Sequence, residues 1–147
     1  LLDVMKKVDI VVLNDGEIKL LADDSNLVRA GNKVRGMMNG GILIIKKGEH
    51  GVLAIHPDGL IALPAYPTET VVDPTGCGDT FAGTLASRLA LGSGEVSLDE
   101  LKFALIHATV TASFTLQSFG VNALHQLEEE DYTGRIESYM KMTGTGK

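Results

Sequence analysis

Residues 71 to 83 read VVDPTGCGDTFAG. Three glycines, two threonines and two aspartates surround one small thiol, and the stretch runs straight into an apolar helical pattern. Gly76 and Gly78 free the backbone to turn its N–H groups toward one point. A helix opening near Gly78 adds unpaired donors and the positive end of its dipole, which together make an anion hole. Asp79 falls in the first turn of that helix. A carboxylate repels a bound phosphate, so its place makes chemical sense if it handles a proton. Asp79 would accept one from a hydroxyl while the amides of Gly76, Cys77 and Gly78 hold a transferring phosphoryl group. Such transfer needs positioning, charge neutralisation and a group that orients the nucleophile. The plainer reading is a tight turn and an ordinary helix-start carboxylate. Two familiar phosphate loops are excluded. A GxGxxG pattern needs glycine at Phe81, and the only Gly-Lys pair, Gly146-Lys147, has neither the upstream glycine nor the following hydroxyl of a Walker loop.

Working outward, Phe81, Leu85 and Leu89 recur at helical spacing, with Ala82, Ala86 and Ala90 beside them. LGSGEVS, residues 91 to 97, ends that helix. Ser97 with Glu100 reads as a capping box opening a long helix through Leu116. Glu128 to Met142 is a final amphipathic helix. Upstream, VDIVVL at 8–13 and ILII at 42–45 suit strands buried on both faces, as in a parallel sheet. Residues 17–38 read as helix in pieces, broken near DDSN, where Asp24 or Ser25 would cap the second piece. GVLAIHPDGLIAL at 51–63 reads as a hairpin around Pro57-Asp58-Gly59. Strands alternating with helices argue for α/β layers.

Composition narrows the function. The chain has 147 residues, 44% hydrophobic and 22% charged, with a formal charge of −6 and no basic cluster. That is the profile of a soluble domain with a real core, and it disfavours nucleic acid or an anionic membrane as partner. No apolar run approaches the ~20 residues of a bilayer span. Cys77 is the single cysteine, which excludes an internal disulfide and fits a reducing cytoplasm.

DPTGCGDTFAG, residues 73 to 83, closely resembles the C-terminal signature of the ribokinase-like (phosphofructokinase-B type) sugar and nucleoside kinases. The one departure is Cys77, where alanine is usual; both are small and the position contributes its N–H. The resemblance implies a three-layer α/β/α fold with a mostly parallel sheet. It implies transfer of the γ-phosphoryl of ATP to a hydroxyl of a sugar or nucleoside, with Asp79 as base.

Other segments extend the likeness in order. Asn14-Asp15-Gly16-Glu17 matches the family's Asn-x-x-Glu motif, which implies Asn14 and Glu17 as organisers of Mg²⁺ and its waters; a polar turn at a strand end is the plainer reading. IIKKGEHG resembles the segment lining the nucleotide, with Lys46, Gly48 and Gly51 at the matching positions. Asp73 and Thr75 match positions that help hold a monovalent cation, K⁺ being the candidate. ASFTLQSFGVNAL resembles the segment that closes over the nucleotide, making Ser118, Gly120 and Asn122 candidates there. His107 would lie near the adenine, although a lone histidine on an apolar helix is more often a satisfied core residue. His50 and His56 read as surface residues.

The likeness runs from about residue 4 to 140 and matches the C-terminal, ATP-binding half of a typical member. Residues 1–147 are thus expected to be the nucleotide half, without the acceptor-binding half and lid. Two alternatives stand beside the kinase: a nucleotide- or anion-binding module without catalysis, and a structural domain whose open sheet edge drives homo-oligomerisation.

Overall fold

The aliphatic runs near the start of the chain become the strands of one sheet. The structure is a computed structural model that describes residues 1–92 and 94–146. The chain divides into two compact units, Leu1–Pro64 and Ala65–Lys147.

The first unit opens with a short helix, α1 (Leu2–Met5), and the strand β1 (Ile10–Asn14). Helices α2 (Asp15–Ala22) and α3 (Leu27–Gly36) then lead to β2 (Ile42–Lys46). A 3₁₀ turn at Gly48–His50 precedes β3 (Val52–His56) and β4 (Gly59–Leu63). The strands lie in the order β1-β2-β3-β4. β1 and β2 are parallel, in register from Ile10 opposite Ile42 to Asn14 opposite Lys46. The other two pairings are antiparallel, so this sheet is mixed rather than mostly parallel. The connections are the cause: a parallel return needs a crossover of about a dozen residues or more, and neither the turn at 47–51 nor the hairpin at Pro57-Asp58 has that length. Leu43, Ile44 and Ile45 are fully buried, as a continuous aliphatic run requires. Ile18 of α2 and Ala30 and Val34 of α3 join Leu43, Ile45, Leu53 and Ile55 in the core of this unit.

α2 and α3 break where expected but are capped differently. Asp23 closes α2 in the left-handed region (φ 47°), and Asn26, not Asp24 or Ser25, is the N-cap of α3, accepting from the Arg29 amide at 3.0 Å. Asp24 is occupied elsewhere. Its carboxylate accepts from the Asn26 amide and from two nitrogens of Arg29, and pairs with Lys33 at 3.0 Å. These donors hold the Asp24 carboxyl far below the usual carboxylate range, Arg29 first among them.

The second unit is helical: α4 (Cys77–Leu89), α5 (Leu98–Thr115), a short α6 (Asn122–His125) and α7 (Glu129–Thr143). α5 packs against the other three. Its start is the capping box read from sequence. Ser97 Oγ accepts from the Glu100 amide, and Glu100 Oε2 accepts from the Ser97 amide at 2.9 Å. α4 stops at Leu89, as LGSGEVS predicts, with Ser93 of that stretch outside the described residues. Among the described residues no helix is long and apolar enough to cross a membrane.

Candidate functional site

In the second unit the glycine loop is anchored at one end and open at the other. The amides of Val72 and Asp73 both donate to the Leu116 carbonyl, at 2.7 and 3.3 Å. Asp73 Oδ1 accepts from the Thr75 amide at 2.9 Å, closing an Asx turn that holds the Asp73 carboxyl below its ordinary range. The Cys77 amide donates to the Pro74 carbonyl at 3.2 Å, and the Thr80 amide to the Gly76 carbonyl at 2.9 Å. Gly76 is the N-cap of α4 at φ 85°. A Cβ there would meet only Thr115 Cγ2, at 3.8 Å, so backbone conformation rather than space calls for glycine.

What remains open is specific. The amides of Gly76, Gly78 and Asp79 have no acceptor among the described residues. Gly78 and Asp79 lie in the first turn, whose N–H groups no helix can pair internally. Of the three amides expected to hold an anion, two are therefore free, Cys77 is engaged in the turn, and the amide of Asp79 itself joins them. The rule that first-turn amides are orphaned carried that signal. The Asp79 side chain is exposed and has no hydrogen-bond or ion-pair partner among the described residues. The Cys77 thiol is half-buried, and burial followed by the nearby Asp73 charge pushes its pKa up. It is an uncharged small residue rather than a nucleophile.

In the first unit, the structure brings Asn14, Glu17 and Lys46 to the carboxyl ends of the two parallel strands. Asn14 and Lys46 are paired in register. Asn14 is also the N-cap of α2. Its Oδ1 accepts from the Glu17 amide and Glu17 Oε2 accepts from the Asn14 amide, each at 2.8 Å, a complete capping box. The Asn-x-x-Glu spacing therefore has a structural use that the capping-box signature predicts. Glu17 Oε1 and a second lone pair on Asn14 Oδ1 are left. No three or more His, Cys, Asp or Glu among the described residues are arranged to hold a metal. Two exposed oxygens suit Mg²⁺, which keeps most of its waters, and do not suit an ion that demands a full protein cage. Gly48 (φ 56°) and Gly51 (φ 86°) shape the turn after β2, closed by the Lys47 amide donating to the Gly51 carbonyl at 2.8 Å.

The remaining expected residues are more scattered. Gly120 has φ 60° and Asn122 opens α6; both are exposed. Ser118 Oγ accepts from the Ala123 amide at 2.9 Å. His107 is a core residue. It is 7% exposed, its Nδ1 lies 2.6 Å from the Tyr132 hydroxyl, and burial, then the Arg88 charge, lowers its pKa to about 4. His50 is exposed as expected, but His56 is buried. Its Nδ1 accepts from the Asp58 amide at 3.0 Å, and the residue closes β3, a strand buried at every position. Arg135, not singled out in the sequence, lies over Phe114 with its guanidinium carbon 3.5 Å from the ring centre.

Four similarities bear on this geometry. The chain is 31% identical, over 127 residues, to "Bifunctional protein HldE" of Stutzerimonas stutzeri (strain A1501), covering 83% of this chain and 25% of that protein. It superposes with a TM-score of 0.79 on aminoimidazole riboside kinase from Salmonella enterica, a structure containing aminoimidazole riboside and an ATP analog. That match is 24% identical and covers 92% of this chain and 44% of the other. Fructokinase from Vibrio cholerae O395, with fructose, ADP and calcium ion bound, superposes equally well at 17% identity, over 91% of this chain and 42% of the other. These superpositions show the ribokinase-like α/β fold. The chain spans about a quarter of the first relative's length and under half of each kinase structure. The family model of the pfkB carbohydrate kinases matches residues 1–127, glycine loop included, and the chain belongs to that family.

Proposed function

We propose that this chain carries the nucleotide-binding and proton-accepting parts of an ATP-dependent kinase acting on a hydroxyl of a sugar or nucleoside. The observation that carries the reading is the set of open amides at Gly76, Gly78 and Asp79, with an unpartnered carboxylate on the same helical turn. Amides fixed in that way need no reorganisation to meet the charge developing on a transferring phosphoryl group. Asp79 accepts the proton of the attacking hydroxyl. Lys46, Gly48 and Gly51, with Gly120 and Asn122, are the proposed nucleotide contacts.

Asn14 and Glu17 would hold Mg²⁺ through their remaining oxygens and its water shell, and the ion would neutralise phosphate charge. Asp73 and Thr75 are the proposed neighbours of a monovalent cation; Asp73 Oδ2 is the carboxylate oxygen not used by the Asx turn. A cytoplasmic location belongs to the same proposal.

Calorimetric titration with ATP and Mg²⁺, run beside a transfer assay over a panel of sugars and nucleosides, tests it. Saturable binding with transfer to at least one acceptor is expected. Absence of ATP binding would refute the reading. Binding without transfer would select the second reading, a nucleotide-binding module. The chain's coverage of only 44% of the aminoimidazole riboside kinase is the observation that favours that alternative.

A further inference from the structure

The geometry points to Arg135 as a positioning residue for the glycine loop, acting through the last turn of α5; the inference rests on the proposed function above. Arg135 donates to Ser113 Oγ at 3.0 Å and to Gln117 Oε1 at 3.1 Å. Its guanidinium lies over the rings of Phe114, at 3.5 Å, and Tyr66, at 4.9 Å. Both stacking and planar donation use the flat, delocalised cation that lysine lacks.

The grip falls on the part of α5 that receives the loop. Leu116 lies between Phe114 and Gln117, and its carbonyl takes both anchoring amides, from Val72 and Asp73. Thr115, one residue earlier, donates to Thr80 Oγ1 in the first turn of α4. Gln117 also reaches back, its Nε2 donating to Thr68 Oγ1 at 3.4 Å. Arg135 thus holds Ser113, Phe114 and Gln117 from α7, while Thr115 and Leu116 hold the two ends of the loop.

The charge has a physical reason to be there. A helix C-terminus carries unpaired carbonyls and the negative end of the dipole, where a cation is favourable. Both hydrogen bonds from Arg135 go to neutral acceptors, a hydroxyl and an amide, rather than to a carboxylate. A cation stacked over the end of α5 fixes where the Leu116 carbonyl sits, and with it the open amides of Gly76, Gly78 and Asp79.

Amide hydrogen exchange on Arg135→Lys, with Gln117→Leu as a second variant that preserves the α7 side, tests the assignment. Exchange in the peptide spanning 71–80 should quicken about tenfold in both, as loss of a hydrogen bond to a charged group allows, while the peptide spanning 81–89 stays at the parent rate. ATP·Mg²⁺ affinity should fall about tenfold in the same variants. Unchanged exchange in 71–80, or equal acceleration along the whole chain, overturns the assignment. If Arg135→Lys does not fold, Gln117→Leu alone decides by the same criterion. Should the parent chain fail to bind ATP, the proposed function fails, and the exchange result still judges the positioning role.

Discussion

The Thr115 hydroxyl donates to Thr80 Oγ1 at 3.0 Å, joining the end of α5 to the first turn of α4 across 35 residues of sequence. Thr115 is 2% exposed and Thr80 half-buried, so the bond is partly shielded from water. Replacing Thr115 with valine keeps the shape and removes the donor. We expect a loss of about 0.5–1.5 kcal/mol, the usual net value of such a bond. Urea unfolding should show a lower midpoint at unchanged slope. An unchanged midpoint would mean that the Thr80 hydroxyl finds another partner at no cost.

Asp79→Asn separates proton chemistry from binding. Asparagine is nearly the same size, and the Asp79 side chain makes no capping bond, so the helix should persist. Transfer should fall by about 10²–10⁴-fold, the usual contribution of a positioned base, while ATP affinity changes little. Turnover close to the parent rate would remove Asp79 from the reaction.

Asn14 and Glu17 have two candidate duties, and two substitutions tell them apart. Asn14→Ala breaks the cap and should cost about 1 kcal/mol of stability. Glu17→Gln can still complete a capping box, so stability should hold within a few tenths of a kcal/mol, while the Mg²⁺ concentration needed for ATP binding rises several-fold. If Glu17→Gln leaves the Mg²⁺ dependence untouched, the motif is only a helix cap.

His107 should impose an acid limit on stability. Its folded pKa of about 4 lies below its ordinary value of 6.5, because burial and Arg88 disfavour the charged ring. Between those values the unfolded chain binds the proton more readily, so unfolding free energy rises with pH. The contribution is complete above about pH 6.5 and is lost as pH falls toward 4. Midpoints of urea unfolding measured from pH 7 to pH 4 should drop, and His107→Gln should flatten the drop. Parallel curves for the two proteins would show that His107 does not set it.

Local signals carried most of the secondary structure. The Ser97–Glu100 box, the Pro57-Asp58-Gly59 turn and the α4 start at the glycine loop each depend on residues within a few positions, so the chain reveals them without its fold. The same logic would have exposed Asn14 and Glu17 as a cap, since their spacing is the capping-box spacing. Sequence also named the candidate base and the loop, because a glycine at 76 permits the positive φ that the turn adopts. Tertiary structure decided the rest. Strand direction after β2 followed from how little chain joins the strands. His56 is buried because β3 is covered at every position once the chain is packed, which no local pattern reveals. Arg135 meets Ser113, Gln117 and Tyr66 from 22, 18 and 69 positions away. No periodicity encodes such a meeting, because stacking and hydrogen bonding act on distance in space, and only the packed helices set that distance.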